Sequence, residues 1–167
     1  MSFHSTIHTE LGIIRAVASR RGLTALLWQQ QPFDDGDEPN DVSRETVSQL
    51  HDYLTGNRHI FTIAYDFSAF TPSYQRWLEV MSQIPYGKTV TYADFAEMWG
   101  NRKASRAAGQ ACQRNHLPIL FPCHRVVSSG GGLNMYSGGD RTSPTDPDNL
   151  SRKQWLIDLE KRNRQLV

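Results

Sequence analysis

The first third of the chain has the residue spacing of a β-sheet. Apolar and polar residues alternate over residues 3–29, as in strands with one packed and one exposed face. A polar break at residues 19–22 divides this stretch and predicts a hairpin. Three residues after the break are expected on packed surfaces: Leu23, Leu26 and Trp28. A further strand is predicted over residues 59–65.

A helix is predicted between these strand segments. Ser43 stands where an N-cap is expected, and Gly56 ends the pattern. Between them, four residues follow at helical spacing: Val47, Leu50, His51 and Leu54. The acidic residues 32–41 before the helix predict a solvated loop. These elements predict a small, strand-rich α+β unit that ends near residues 66–71.

From residue 70 onward the apolar spacing becomes helical. One apolar stripe predicts a helix that ends at residues 85–87: Phe70, Tyr74, Trp77, Met81 and Ile84. A second short helix is predicted from Tyr92 to Trp99, and a third from about Arg102 to Arg114. Two helices across a turn that contains glycine suggest a helix-turn-helix, although many other helix pairs share this pattern. We therefore expect an α+β fold, with an N-terminal domain of residues 1–68 and a mainly helical domain of residues 69–167.

The third helix has an unusual composition that allows two interpretations. Its small residues are Ala104, Ala107, Ala108, Gly109 and Ala111, and its polar stripe consists of Lys103, Arg106, Gln110 and Arg114. This composition fits a tightly packed helix with a solvated face. It equally fits a thin helix that enters a narrow groove of DNA and contacts phosphates with its basic side chains.

Charge and composition limit the possible partners. The chain has 167 residues and a net charge of +1, so it is not a uniformly basic binder of nucleic acid. Acidic residues dominate positions 34–45 and basic residues dominate positions 88–125, so a polyanion should meet the second half. The sequence shows no signal peptide and no apolar run of membrane length, and we expect a soluble, cytoplasmic protein. The histidines of the first third lack compact ligand spacing, so no metal site is predicted.

One of the two cysteines stands in a reactive context. Cys123 follows Pro122 and precedes His124 and Arg125, within an apolar run. Neighbouring positive charge or an imidazole base lowers the pKa of a thiol, whereas a structural cysteine usually has apolar neighbours. Adjacent side chains point apart in an extended segment, so His124 needs a bridging water or a local turn to act on Cys123. The imidazole also needs a carboxylate behind it, which spacing does not identify. The other cysteine, Cys112, is expected to be a small packing residue.

A resemblance to a known family begins at this cysteine. The segment Pro122-Cys123-His124-Arg125-Val126 resembles the active-site signature of the O6-alkylguanine-DNA alkyltransferases, also called methylated-DNA–protein-cysteine methyltransferases. Other segments resemble further motifs of that family in the same order, namely Ile84-Pro85-Tyr86-Gly87, Thr91-Tyr92, Ser105-Arg106-Ala107-Ala108-Gly109, Asn115 and Tyr136-Ser137-Gly138-Gly139. The resemblance covers residues 70–139 well, extends to a closing helix at residues 153–160, and is loose before residue 70.

The resemblance implies a set of catalytic roles. Cys123 accepts the alkyl group, His124 deprotonates it through a water, and Glu160 orients the imidazole. Asn115 braces the turn between the recognition helix and the active site. Tyr92 helps to rotate the phosphate of the damaged nucleotide and protonates the leaving base.

The resemblance also implies how the damaged DNA is held. Tyr136 stacks on the flipped base, Ser137 donates a hydrogen bond to its O6 side, Gly138 belongs to the same segment, and backbone groups at Cys123 and Val126 contact the exocyclic amine. The third helix enters the minor groove, where Arg106 occupies the gap left by the base. Its other implied DNA contacts are Lys103, Ala107, Gly109 and Arg114.

The implied function is direct reversal of O6-alkylguanine damage, and possible action on O4-alkylthymine, by a monomer that needs no cofactor. The lesion lies inside the duplex, so the base must be flipped out. No second thiol is evident to remove the alkyl group from Cys123, so each molecule should act once. The competing hypotheses are a non-catalytic lesion sensor, a helix-turn-helix regulator and a cysteine hydrolase. The first normally lacks the cysteine, the second leaves the cysteine motif unexplained, and the third needs an oxyanion site that the sequence does not show.

One segment departs from the family pattern. Residues 140–149 are polar and make the connection to the closing helix about ten residues longer than expected. We expect an exposed loop there, either an inert insertion or a lid that changes the tolerance for bulky alkyl groups.

Overall fold

A computed structural model of the chain describes residues 1–133, 135–136 and 145–164. Two compact units divide it, the first formed by Met1–Ala69 and the second by most of the chain from Phe70 onward. The first contains a sheet and the second is mainly helical, which confirms the predicted α+β fold. Among the described residues, no helix combines the length and the apolar character needed to span a membrane.

The first unit is built on a three-stranded antiparallel sheet in the order β1-β2-β3. Its strands are β1 (Phe3–Thr9), β2 (Gly12–Ala18) and β3 (Leu23–Gln29). Leu23, Leu26 and Trp28 are buried, as predicted. The sheet has a second turn, at residues 10–11, that the alternation pattern did not indicate. The turn could not be recognised in the sequence because Leu11 is apolar and buried, unlike a typical turn residue. The Leu11 carbonyl accepts a hydrogen bond from Trp28 Nε1 at 3.0 Å.

The predicted strand over residues 59–65 is wrong. All of these residues are described, and they have no regular secondary structure apart from a single bridge, between Tyr65 and Leu23. The segment is held instead by a helix side chain, because Gln49 accepts a hydrogen bond from the Thr62 backbone N–H at 2.9 Å. A side-chain anchor of this kind replaces the ladder of backbone hydrogen bonds that a strand needs.

The helix α1 (Asp41–Leu54) begins earlier and buries a different face than predicted. Asn40 is its N-cap, and Ser43 is the third residue of a capping box in which each side chain bonds to the other's backbone. The buried face is partly polar and consists of Ser43, Thr46, Gln49, Leu50 and Tyr53. Ser43 is accommodated there because its hydroxyl bonds to that of Ser5 at 2.8 Å.

The acidic stretch before α1 is exposed, as predicted, but it is tied to the sheet. The buried guanidinium of Arg15 donates to Asp35 at 2.8 Å and lies 4.2 Å from the centre of the Phe33 ring. Asp37 accepts hydrogen bonds from both the backbone and the hydroxyl of Thr6. Two of these carboxylates therefore attach the loop to the sheet through hydrogen bonds.

The second unit contains the three helices that the apolar stripes predicted. They are α2 (Pro72–Met81), α3 (Tyr92–Trp99) and α4 (Ser105–Gln113), and a 3-10 turn over Arg102–Ala104 leads into α4. Trp77 of α2 packs against Phe95 and stacks on Trp99, with ring centres 5.2 and 4.7 Å apart. Gly100 ends α3 with φ of 131°, a conformation that favours glycine, so the chain turns sharply towards α4.

Two short strands and a last helix complete the second unit. The parallel pair β4 (Val90–Thr91) and β5 (Val126–Val127) was not predicted, because two residues are too few to show a period. The last helix, α5 (Pro147–Asn163), starts before the predicted residue 153, with Asp146 as its N-cap and proline in its first turn. Residues 147–149 of the expected loop are therefore helical, and residues 140–144 lie outside the described part of the chain.

The capping box of α1 gives a testable prediction. Replacing Asn40→Ala removes the acceptor for the Ser43 N–H, and we expect the free energy of unfolding of the first unit to fall by about 1 kcal/mol. The control Ser48→Ala, at an exposed position in the middle of the same helix, should change it by less than about 0.5 kcal/mol. Urea unfolding followed by circular dichroism measures both, and equal losses would contradict the assigned cap.

Candidate active site

The cysteine lies on a short turn and not in an extended segment. Cys123–Arg125 form one turn of 3-10 helix between Pro122 and β5, closed by a hydrogen bond from Arg125 N to Pro122 O at 3.0 Å. Every residue from Leu117 to the end of β5 is buried. From the sequence, His124 could act on Cys123 either through a bridging water or through a local turn of the chain. The structure contains such a turn.

A buried glutamate connects this turn to the last helix. Glu160 of α5 accepts from His124 Nε2 at 2.7 Å and from Arg125 Nε and Nη2 at 2.8 and 2.9 Å. The backbone N–H of Gly87 also donates to it, at 3.0 Å, and Arg125 Nη1 donates to the Ile84 carbonyl at 2.6 Å. The structure thus brings together His124 and Glu160, the pair that the resemblance implied. It adds Arg125, a partner that sequence reasoning missed.

The electrostatics of this network follow from its burial. Desolvation alone would raise the pKa of Glu160, but its contacts with His124 and Arg125 outweigh it and hold that pKa well below the ordinary value. For His124 the balance is reversed, because burial outweighs the attraction of Glu160 and lowers the pKa of the imidazole. The bidentate Arg125 keeps the carboxylate ionised whichever form the imidazole takes. A neutral His124 that donates from Nε2 has Nδ1 as its basic nitrogen.

The thiol is not activated by simple proximity to cations. Burial raises the pKa of Cys123 above its ordinary value, and the nearby amide of Asn115 and the charge of Lys153 oppose this rise without cancelling it. The sequence suggested that Arg125 would help to lower the thiol pKa, but its guanidinium is directed at Glu160. The resting thiol is therefore protonated at neutral pH, and its reaction needs a base.

Asn115 bonds to the backbone of the loop between α4 and the cysteine. Its side-chain nitrogen donates to Phe121 O at 2.8 Å, and its oxygen accepts from Leu117 N at 2.9 Å. Asn115 is 4% exposed, so both groups depend on these partners. The loop also contains Ile119 with φ of 73°, a conformation that costs a β-branched residue about 1–3 kcal/mol.

The thiol borders a narrow cavity that has no room for a water molecule. Its lining residues are Cys112, Gln113, Cys123, Met135 and Tyr136. Tyr136 is 3% exposed and forms part of its wall. Cys112, expected as a packing residue, is buried and shares this cavity with the nucleophile candidate.

A lysine that sequence reasoning missed holds one side of this cavity. Lys153 is fully buried, and its ammonium donates to the carbonyls of Leu133 and Met135 at 2.7 and 2.9 Å. Burial lowers the pKa of Lys153 to about 8, against the attraction of Cys123. A signal was present in the sequence, because Lys153 and Glu160 lie two helical turns apart and therefore share one face of α5.

The helix α4 has a basic outer face and a small-residue inner face. Lys103, Arg106 and Arg114 are exposed, whereas Ala108, Gly109, Ala111 and Cys112 are buried and Ala107 is half-buried. The small residues of the helix therefore pack inward, and its basic residues are exposed. Gly109 lies on the inner face, where a Cβ atom would stand 3.6 Å from Met135 and 3.9 Å from Tyr92.

The remaining implied site residues have varied positions. Tyr92 is the first residue of α3 and is half-buried. Val126 is buried in β5 and pairs with Val90. Ser137 and Gly138 lie outside the described residues. Arg102, at the basic end of the second half, is paired with Asp94 and Glu97 at 2.7 and 3.2 Å, so part of the local positive charge is neutralised.

The buried carboxylate predicts a specific dependence of stability on pH. Its pKa is lower in the folded protein than its ordinary 4.5, so its stabilising contribution is complete above pH 4.5 and is lost as the pH falls below that value. Glu160→Gln leaves Arg125 buried without its counter-charge, and we expect a loss of about 3 kcal/mol or more at neutral pH. Urea unfolding at a series of pH values should show the gap to the wild type narrowing below pH 4.5.

The control for this measurement is Asp158→Asn, on the same helix. Asp158 is half-buried and bonds to Gln154, one turn away, so its loss should cost little at any pH. A gap for Glu160→Gln that does not depend on pH would contradict the network as described.

Two family models match the chain and together span both units. Residues 3–67 match the ribonuclease-like domain of 6-O-methylguanine DNA methyltransferase, and residues 72–162 match the DNA-binding domain of the same family. Among curated proteins, the constitutive methylated-DNA–protein-cysteine methyltransferase of Bacillus subtilis is 35% identical over 83% of this chain and 88% of its own length. A methylated-DNA–protein-cysteine methyltransferase of Mycobacterium leprae is 39% identical over 73% of this chain and 67% of its own length.

Solved structures agree with these matches. The O6-methylguanine methyltransferase of Mycobacterium tuberculosis superposes with a TM-score of 0.78 at 28% identity, over 98% of this chain and 94% of that one. A second structure of the Mycobacterium tuberculosis protein, in complex with DNA, gives a TM-score of 0.77 at 31% identity, over 96% of this chain and 93% of that one. The family models, the relatives and the solved structures give the same answer, and the chain belongs to the 6-O-methylguanine DNA methyltransferase family.

Proposed function

We propose that this chain repairs DNA by moving the alkyl group of O6-alkylguanine onto Cys123. The observation that carries the proposal is the position of this thiol. It faces a cavity walled by Tyr136 and by the inner face of α4, directly before a histidine bound to a buried glutamate. The family of the chain and the DNA-bound Mycobacterium tuberculosis structure support DNA as the substrate.

The first chemical step is removal of the thiol proton. The thiol is protonated at neutral pH and His124 is neutral, so the imidazole is in the form that accepts a proton. The proton passes through a water to His124, and the ionised Glu160 stabilises the imidazolium that forms. Arg125 keeps that carboxylate charged and fixed, which gives it a positioning role.

The second step is a displacement at carbon. The Cys123 sulfur forms a bond to the alkyl carbon, the bond from that carbon to O6 breaks, and its electron pair goes to the guanine. Tyr92 supplies the proton that the departing base needs. Atoms and charges balance without a cofactor, and the product is a thioether that no described group reverses. Each molecule therefore acts once. In this proposal it acts as a monomer.

The base reaches the thiol only outside the helical stack. In this proposal α4 lies in the minor groove, with Arg106 filling the space left by the base and Lys103, Ala107, Gly109 and Arg114 near the backbone. The flipped guanine stacks on Tyr136, with Ser137, Gly138 and Val126 around its polar edge. Asn115 holds the loop that joins this helix to the thiol. Residues 69–167 carry the reaction, and residues 1–68 have a structural role.

The central prediction concerns the site and stoichiometry of transfer. Incubation of the protein with an O6-methylguanine duplex should add one methyl mass per molecule, and peptide mapping should place it on Cys123. Excess substrate should add nothing further, because the thioether is stable. Cys123→Ala should still bind the duplex without taking up mass, and Cys112→Ala should still react. Turnover of the duplex by the wild type, or methylation of Cys112, would contradict the proposal.

A second prediction separates base flipping from chemistry. Arg106→Ala should slow methyl transfer from the duplex by about tenfold or more, because the empty place in the stack is no longer filled. The same variant should react with free O6-benzylguanine at close to the wild-type rate, since the free base needs no extrusion. Arg44→Ala, an exposed arginine of the first unit, is the matched control and should change neither rate. Equal losses on both substrates for Arg106→Ala would assign Arg106 to the chemistry and not to extrusion.

A further inference from the structure

The cavity beside Cys123 is too narrow for the substrate that the proposed function requires. It has no room for a water molecule, and it is lined by four other residues: Cys112, Gln113, Met135 and Tyr136. Displacement needs the sulfur and the alkyl carbon about 3–3.5 Å apart, so the alkyl group has to lie directly beside Cys123. At least one lining side chain must therefore move before an alkylated guanine can react.

The lining residues differ in how easily their side chains can move. Cys112 and Tyr136 are 6% and 3% exposed, so each is enclosed by its neighbours. Met135 is half-buried, and its thioether side chain is unbranched and has three rotatable bonds. Gln113, at the end of α4, is exposed. Met135 is therefore the flexible lining side chain that the protein partly encloses.

The backbone of Met135 is fixed, whereas its side chain reaches across to another element. The Met135 N–H donates to Leu133 O at 2.8 Å, and the Met135 carbonyl accepts from the buried Lys153 of α5 at 2.9 Å. Its terminal methyl group lies against α4, where a Cβ atom added to Gly109 would stand 3.6 Å from it. The side chain thus extends from its loop to the inner face of α4, beside the cavity. Because both backbone groups are bonded, the side chain is the part that must move.

We propose that Met135 is a specificity-determining residue, whose side chain occupies the space beside Cys123 that the alkyl group of the damaged guanine must enter. This inference rests on the proposed function and adds to it a limit on the size of the alkyl group. A methyl group needs only a small displacement of the flexible side chain. A benzyl group needs the whole side chain to leave its place between the loop and α4, and the loss of its contacts there slows the transfer.

The experiment compares alkyl transfer from two duplexes of the same sequence, one with O6-methylguanine and one with O6-benzylguanine. The variant is Met135→Ala, which shortens the side chain and keeps both backbone hydrogen bonds. The measured quantity is the ratio of the benzyl rate to the methyl rate for each full-length protein. A change in DNA binding or in base flipping acts on both duplexes, so it cancels in this ratio.

We expect Met135→Ala to raise the benzyl-to-methyl ratio by about tenfold or more, the usual effect of one or two methylene groups in an apolar pocket. Met135→Leu keeps a similar volume and should leave the ratio within about threefold of the wild type. The control Met98→Ala, at an exposed methionine of α3, should not change it. Melting temperatures show that each variant is folded, and Met135→Val provides the same test if the alanine variant does not fold.

Two results overturn the proposal. An unchanged ratio in Met135→Ala, including equal slowing on both duplexes, means that Met135 has a structural role only. A rise in Met135→Leu as large as that in Met135→Ala means that the volume of the side chain does not set the ratio.

A measurement without DNA separates this proposal from the proposed function. N-ethylmaleimide should modify Cys123 several-fold faster in Met135→Ala than in the wild type, with peptide mapping to distinguish Cys123 from Cys112. Equal rates of modification would contradict the placement of Met135 beside the thiol. A protein that shows the difference but takes no alkyl group from damaged DNA would refute the proposed function alone. A protein that repairs both duplexes with an unchanged ratio in Met135→Ala would refute the role of Met135 alone.

Discussion

The stability of the second unit depends on one buried carboxylate, Glu160, whose charge must be balanced by hydrogen-bonding and positively charged partners. Glu160 lies in the interior with Arg125, His124 and the Gly87 N–H all directed at its two oxygens. An ionised carboxylate in such a place is strongly destabilising unless each lone pair has a partner. Because the partners come from the cysteine turn and from the segment before β4, the carboxylate joins α5 to both.

This arrangement has a chemical consequence for the thiol. Burial suppresses ionisation of Cys123, and the guanidinium of Arg125 is bound to Glu160, so the resting sulfur stays a protonated thiol. The same burial lowers the pKa of His124, which keeps the imidazole available as a base. A sulfur of this kind reacts when a base and an electrophile are both in position, which suits a protein proposed to act once.

The parts of the fold that the sequence predicted are those in which local pattern and packing agree. The stripe that includes Trp77 indicated α2, because large apolar residues at helical spacing have few other uses. The prediction failed where polar side chains take the place of apolar ones. Gln49 faces inward and anchors residues 59–65, so the buried face of α1 is rotated and the expected strand is absent from this described segment. The turn at residues 10–11 was also not predicted, because the apolar side chain of Leu11 is buried there.

The site divides in the same way. By itself the sequence determined the motif around Cys123, the small inner and basic outer faces of α4, and the helical stripes, since each is a matter of residues within a few positions of one another. Tertiary structure alone decided that Glu160 binds Arg125 as well as His124. It also decided that Lys153 donates to the carbonyls of residues 133 and 135, and that the Tyr74 hydroxyl bonds to the backbone of the residues before and after Asn115. These contacts join residues far apart in the chain. Their geometry depends on how whole helices pack, and a one-dimensional pattern carries no information about which distant polar groups must satisfy one another once water is excluded.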